Sequence, residues 1–118
     1  MMWKAAPAGL ILALACTACA HIAPHGETRK PIIVFESCQK PAYPRADIRA
    51  ENQGTVTLAF LVSVEGRATE SKVLRSTGYR SLDMAAQSAL MTCKFKPALV
   101  DGQAVEQWAN VQYVWKLD

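Results

Sequence analysis

Histidine is nearly missing from this chain of 118 residues: there are two, His21 and His25, both close to the N-terminus. A Ser–His or Cys–His nucleophilic pair is therefore excluded from the rest of the sequence. The carboxylates are scattered, and no glycine-rich loop of the phosphate-cradling kind is present. The chain is accordingly expected to be neither an enzyme nor the holder of a cofactor or metal. Charge is scarce as well. Charged residues make up 19%, and 13 Lys+Arg against 10 Asp+Glu leave only +3, too weak an excess to point to nucleic acid. Long hydrophobic runs are also lacking. The apolar stretch 5–15 (AAPAGLILALA) falls short of the roughly 20 residues that cross a bilayer of about 30 Å.

What the N-terminus does hold reads as an export signal. Lys4 gives a positive head, the apolar stretch follows, and Cys16-Thr17-Ala18-Cys19-Ala20 supplies small residues at the exit. Residues 1–20 are thus expected to be a signal peptide, and the protein periplasmic. Two fates stay open. Ala18-Cys19-Ala20 suits soluble cleavage, whereas Ala15-Cys16 and Ala18-Cys19 resemble lipoprotein boxes, in which a lipidated Cys16 or Cys19 would make the protein membrane-associated. Cys16, Cys19, His21 and His25 also spell C-x2-C-x-H-x3-H, a metal- or haem-like spacing. Assigning both cysteines to a removed leader leaves no metal site. Residues 21–37 include Pro24, Gly26 and Pro31 and show no period, so a short tether is expected there, with the folded domain over 38–118.

Within that domain, residues 54–64 (GTVTLAFLVSV) alternate. Val56, Leu58, Phe60, Val62 and Val64 share one face, and Thr55, Thr57, Ala59, Leu61 and Ser63 the other, which is a strand covered on one side. Glu65-Gly66 supplies a turn, and 67–75 a weaker return strand with an irregularity expected near Ser71. Ser76-Thr77-Gly78 breaks the chain. Ser81 is the expected N-cap, Asp83 adds negative charge to the first turn, and Leu82, Ala85, Ala86, Ala89, Leu90 and Cys93 recur at helical spacing. Asp101-Gly102 marks a turn. From Trp108 to Leu117 alternation returns, with Val111, Tyr113, Trp115 and Leu117 on one face. Tyr43-Pro44 opens a segment, 45–50, able to form one or two helical turns. Half-covered strands imply an antiparallel sheet with helices on one side, an α+β domain.

Cys38 and Cys93 are the cysteines of the folded part, and in an oxidising compartment they are expected to form a disulfide. The alternative, a redox or catalytic thiol, lacks C-x-x-C or a nearby His.

Taken in order, Pro41-x-Tyr43-Pro44, Gly54-x-Val56, Phe60 with Val62, Gly66-Arg67, Ser76-x-Gly78, Leu82-Asp83-x-Ala85-Ala86, Phe95-x-Pro97-Ala98 and Asp101-Gly102 resemble the C-terminal domain of the TonB family of energy transducers. The match runs from Pro41 to Leu117. It implies a three-stranded antiparallel sheet packed by one main helix and a short N-terminal helix. It also implies a module that grips an extended peptide, the TonB box of an outer-membrane receptor, by strand addition. The docking edge carried over is Val111, Gln112, Tyr113, Val114 and Trp115, with Tyr43 and Pro44 nearby. For Val111, Tyr113 and Trp115 the docking group is the backbone, their side chains being core. Trp108 is left as either a rim contact or a cap on the sheet.

In that family a membrane helix carrying Ser and His engages an inner-membrane proton-driven motor, and a Pro-rich spacer follows. The comparable pair here is Thr17 and His21, and no such spacer is expected. Coupling to the motor is therefore separate from peptide binding. A second function stays open beside transport: an exported, lipid-anchored or free envelope assembly protein that pairs with a partner or with itself through the same edge.

Overall fold

A computed structural model describes residues 26–118. The expected signal peptide 1–20, with Lys4, Cys16, Thr17 and Cys19, and the start of the expected tether, with His21 and His25, lie outside the described residues. Among the described residues, no helix is long and apolar enough to cross a membrane.

The centre of the molecule is a three-stranded antiparallel sheet in the order β3-β2-β7, built from β2 (Gly54–Val62), β3 (Ala68–Arg75) and β7 (Gln107–Trp115). The period-two pattern is what places it: Val56, Leu58, Phe60 and Val62 of β2 and Ala109, Val111 and Trp115 of β7 enter one core. That core is closed by α2 (Arg80–Leu90), which buries Leu82, Ala86 and Leu90. α1 (Arg45–Ala50) precedes β2, and the Pro44 carbonyl caps it by accepting from the N–H groups of Asp47 and Ile48, each at 3.0 Å. The α+β class and the three-stranded sheet are as expected.

Four three-residue strands lie outside the expected order: β1 (Ile32–Val34), β4 (Lys94–Lys96), β5 (Ala98–Val100) and β6 (Gln103–Val105). β1 pairs antiparallel with β4, and β5 with β6 around Asp101-Gly102. Both turn residues have positive φ (51° and 83°), the conformation that suits a two-residue hairpin. The segment 21–37 expected as a tether is therefore paired over its second half. Arg29 exchanges main-chain hydrogen bonds with Leu99, and Gly102 N–H donates to Glu27 at 2.8 Å. Proline at 31 and the shortness of each ladder conceal this pairing from a periodicity argument.

Two further details differ from expectation. The irregularities of β3 fall at Leu74 and Thr69, the residues skipped in its register with β2, while Ser71 pairs regularly with Phe60. Ser81 is not the N-cap of α2, which is Tyr79. Its hydroxyl instead donates to the buried Asp47 at 2.6 Å and ties the start of α2 to α1. The loop before α2 is held by Asp83, whose carboxylate accepts from the Thr77 N–H at 2.9 Å, the Thr77 hydroxyl at 2.8 Å and the Ser76 hydroxyl. Cys38 and Cys93 form a disulfide that joins the entry segment to the chain leaving α2.

Candidate functional site

A sheet of three strands has two edges, and here they differ. β3 pairs with β2 through two bulges and carries Glu70, Lys72 and Arg75. Bulges and charges are the devices that keep an edge from acquiring another strand. β7 has neither. Its nine residues, QWANVQYVW, include no charge and no proline, and they pair with β2 in unbroken register from Gly54↔Trp115 to Val62↔Gln107. Among the described residues, β2 is the one strand paired with β7, so the N–H and C=O groups on its far side face no ladder.

The side chains of β7 divide as the alternation requires. Val111 and Trp115 are buried, Tyr113 is half-buried, and Gln112 and Val114 point to solvent, Val114 being 59% exposed. The Trp115 indole N–H donates to the Leu82 carbonyl at 3.1 Å, which fixes the end of β7 against the first turn of α2. Tyr43 and Tyr113 both meet Trp115 edge-on, with ring centroids 4.8 and 5.0 Å away. The Tyr43 hydroxyl donates to the Asn52 carbonyl. Burial, and for Tyr43 also the nearby Asp47 charge, raise both phenols above their ordinary value. Trp108, on the outer face, lies with its ring centroid 4.5 Å from the Lys72 ammonium, which reaches across the sheet and caps it.

The expected residues are thus brought together with one exception. Tyr43 stands beside Tyr113, Val114 and Trp115, whereas Pro44 is occupied in capping α1 and lines neither depression described next. A segment from Cys38 to Tyr43 passes along the last part of β7 and leaves two depressions between them. One, of about 260 Å³, is bordered by Phe35, Cys38, Lys40, Pro41, Leu90 and Tyr113. The other, of about 350 Å³, is bordered by Lys40, Pro41, Tyr43, Val114 and Lys116. Phe35, Lys40 and Lys116 carry no sequence signal for this position, because it depends on where the irregular segment crosses the sheet. Pro41 does belong to the Pro-x-Tyr-Pro motif. Among the described residues, no cluster of His, Cys, Asp or Glu could hold a metal ion.

Comparison with known proteins agrees with this geometry. The family described as "Gram-negative bacterial TonB protein C-terminal" matches residues 39–117. Protein TonB of Xanthomonas campestris pv. campestris strain B100 is 41% identical over 71 residues, 60% of this chain and 32% of that protein. Protein TonB of Neisseria meningitidis serogroup C is 36% identical over 66 residues, 56% of this chain and 24% of that protein. Protein tonB2 of Pseudomonas aeruginosa PAO1 is 35% identical over 78 residues, 66% of this chain and 29% of that protein. The chain therefore spans about a quarter to a third of the length of these relatives. The solution NMR structure of the Pseudomonas aeruginosa TonB CTD superposes with a TM-score of 0.58 at 24% identity, covering 75% of this chain and 88% of that one, a likeness of fold.

Proposed function

This chain belongs to the family of Gram-negative bacterial TonB C-terminal domains, and on that premise we propose that it is a periplasmic module that binds an extended peptide of an outer-membrane receptor and takes part in energy-coupled transport. The peptide adds as a strand to the outer edge of β7, using the main chain of Val111 to Trp115, beside the wall that ends at Tyr43. Main-chain hydrogen bonds supply the affinity, and alternate side chains of the guest fall into the depressions under the wall. The observation that carries this reading is the contrast between the edges: one bulged and charged, the other regular, uncharged and open. A disulfide inside the domain agrees with an oxidising compartment and hence with export. Coupling to a proton-driven motor belongs to the same proposal and needs segments beyond those described.

Amide spectra recorded during titration with a synthetic peptide copying the TonB box of a receptor test it. The expected result is a set of saturable shifts confined to β7 and the segment 38–43. Shifts at β3 alone, or none at any edge, would overturn it. The same open edge also suits a second copy of the chain. A concentration-dependent dimer that protects β7 and excludes the peptide would favour the envelope-assembly reading instead.

A further inference from the structure

We infer that the Cys38–Cys93 disulfide is a positioning element of the peptide groove, setting the wall opposite β7 before the guest arrives; this rests on the peptide-binding reading above. The wall, residues 39–43, belongs to no helix or strand. Among the described residues, no main-chain hydrogen bond outside the regular elements involves it either. It is held at its ends. At one end Cys38 is bonded to Cys93. At the other, the Tyr43 ring lies against Trp115 and its hydroxyl donates to Asn52. Between these anchors Pro41 is buried, and Lys40 and Pro41 border both depressions.

Without the covalent bond, the first anchor is left to non-covalent contacts: the three-pair ladder of β1 with β4, the Arg29–Leu99 and Glu27–Gly102 main-chain bonds further back, and the packing of Ile33 and Cys38 on the core. Next to the wall there is also the Ser37 hydroxyl, which accepts from the Lys94 N–H at 2.7 Å. A two-stranded ribbon of that length is marginal in water. The β3-β2-β7 ladder is bonded without the disulfide, and Cys93 shares its core as a buried side chain, so opening the bond is expected to loosen the wall while the sheet persists. A loosened wall must then be ordered at the moment of binding, and that ordering is charged against affinity. Cys38 thus acts through the backbone that follows it, as a positioning residue.

The test compares the oxidised chain with the chain opened by dithiothreitol. The reagent delivers two electrons and two protons to the sulfurs and becomes its own cyclic disulfide, leaving two thiols. Calorimetric titration with the TonB-box peptide is expected to show affinity about tenfold weaker in the opened chain. The β2 and β7 amide resonances of the free protein should stay in place, with faster hydrogen exchange confined to 38–43. Cys38→Ala/Cys93→Ala must reproduce the loss. Pro41→Gly, which loosens the wall with the bond intact, must weaken binding in the oxidised chain. Affinity unchanged within about twofold after opening overturns the inference, as does collapse of amide dispersion, which would make the bond a staple of the whole fold. An oxidised chain that binds no peptide at β7 removes the functional reading itself, and the inference with it.

Discussion

Gly66 and Gly78 both have positive φ, 85° and 96°, yet their surroundings differ. A Cβ at Gly66 would stand 2.3 Å from the Phe95 carbonyl oxygen, whereas nothing lies within 4 Å of one at Gly78. The Gly66 carbonyl also accepts from the Phe95 N–H at 2.9 Å, so the turn after β2 is pressed onto β4. Gly66→Ala is therefore expected to cost at least about 2 kcal/mol, conformational strain plus a forced separation from β4, while Gly78→Ala costs about 1 kcal/mol of strain alone. Urea unfolding of the two variants checks the difference, and equal losses would refute it. Asp83 supplies a second prediction at this scale. Burial by itself would raise its carboxyl, but hydrogen bonds from Ser76 and Thr77 outweigh burial and hold it below the ordinary value. A carboxyl depressed in the folded state stabilises above its unfolded value, near pH 4, and that contribution is lost as pH falls through the lower folded value. Asp83→Asn should flatten this acid limb of the stability curve, as followed by thermal unfolding between pH 5 and 2. The sequence signals negative charge at the start of α2, but Ser81 carries the stronger capping signature by residue type. Its partner, Asp47, lies 34 positions away, a distance that no local rule spans.

Among the elements, β2, β7 and α2 are legible because each is long enough to repeat its period several times and buries one face in a shared core. β1, β4, β5 and β6 have three residues each, too few for a period to register; β1 and β4 pair across more than fifty residues, and of the local β5–β6 hairpin only the Asp101-Gly102 turn is signalled. The candidate edge was legible to the same degree as β7 itself. The wall facing it was legible through Pro41, Tyr43 and the expected Cys38–Cys93 pair, but its course along β7 was not, because an irregular segment has no hydrophobic alternation to place it. Antiparallel pairing directs the main-chain groups of alternate β7 residues toward β2 and the others outward. In the free chain, hydrogen exchange along Gln107–Trp115 should therefore alternate, with amides bonded to β2 protected and their neighbours exchanging fast. Saturating peptide should slow the fast set and leave the others little changed. Uniform protection of all nine amides in the free monomer would mean that the outer edge is already occupied.

For the molecule as a whole, the disulfide divides the chain into a loop and a path. It closes a separation of 55 residues, and by the chain-entropy model this restricts the unfolded state by up to about 4 kcal/mol. It also determines what tension can reach. A pull entering at Gly26 and leaving through β7 first meets the pairing of residues 27–34 with 94–102, then Cys38, and then crosses the sulfurs to Cys93. From there it continues through β4, β5 and β6 to the docking strand. The residues between the two cysteines, which include α1, β2, β3 and α2, are left out of the covalent load path, although β2 remains bonded laterally to β7. Single-molecule stretching with handles at the chain ends should consequently release less length from the oxidised protein than from the reduced one. The deficit should be about 190 Å, from a separation of 55 residues at about 3.5 Å each. Equal extension in the two states would mean that tension is not shunted across Cys38–Cys93. The central sheet would then have to bear the pull directly.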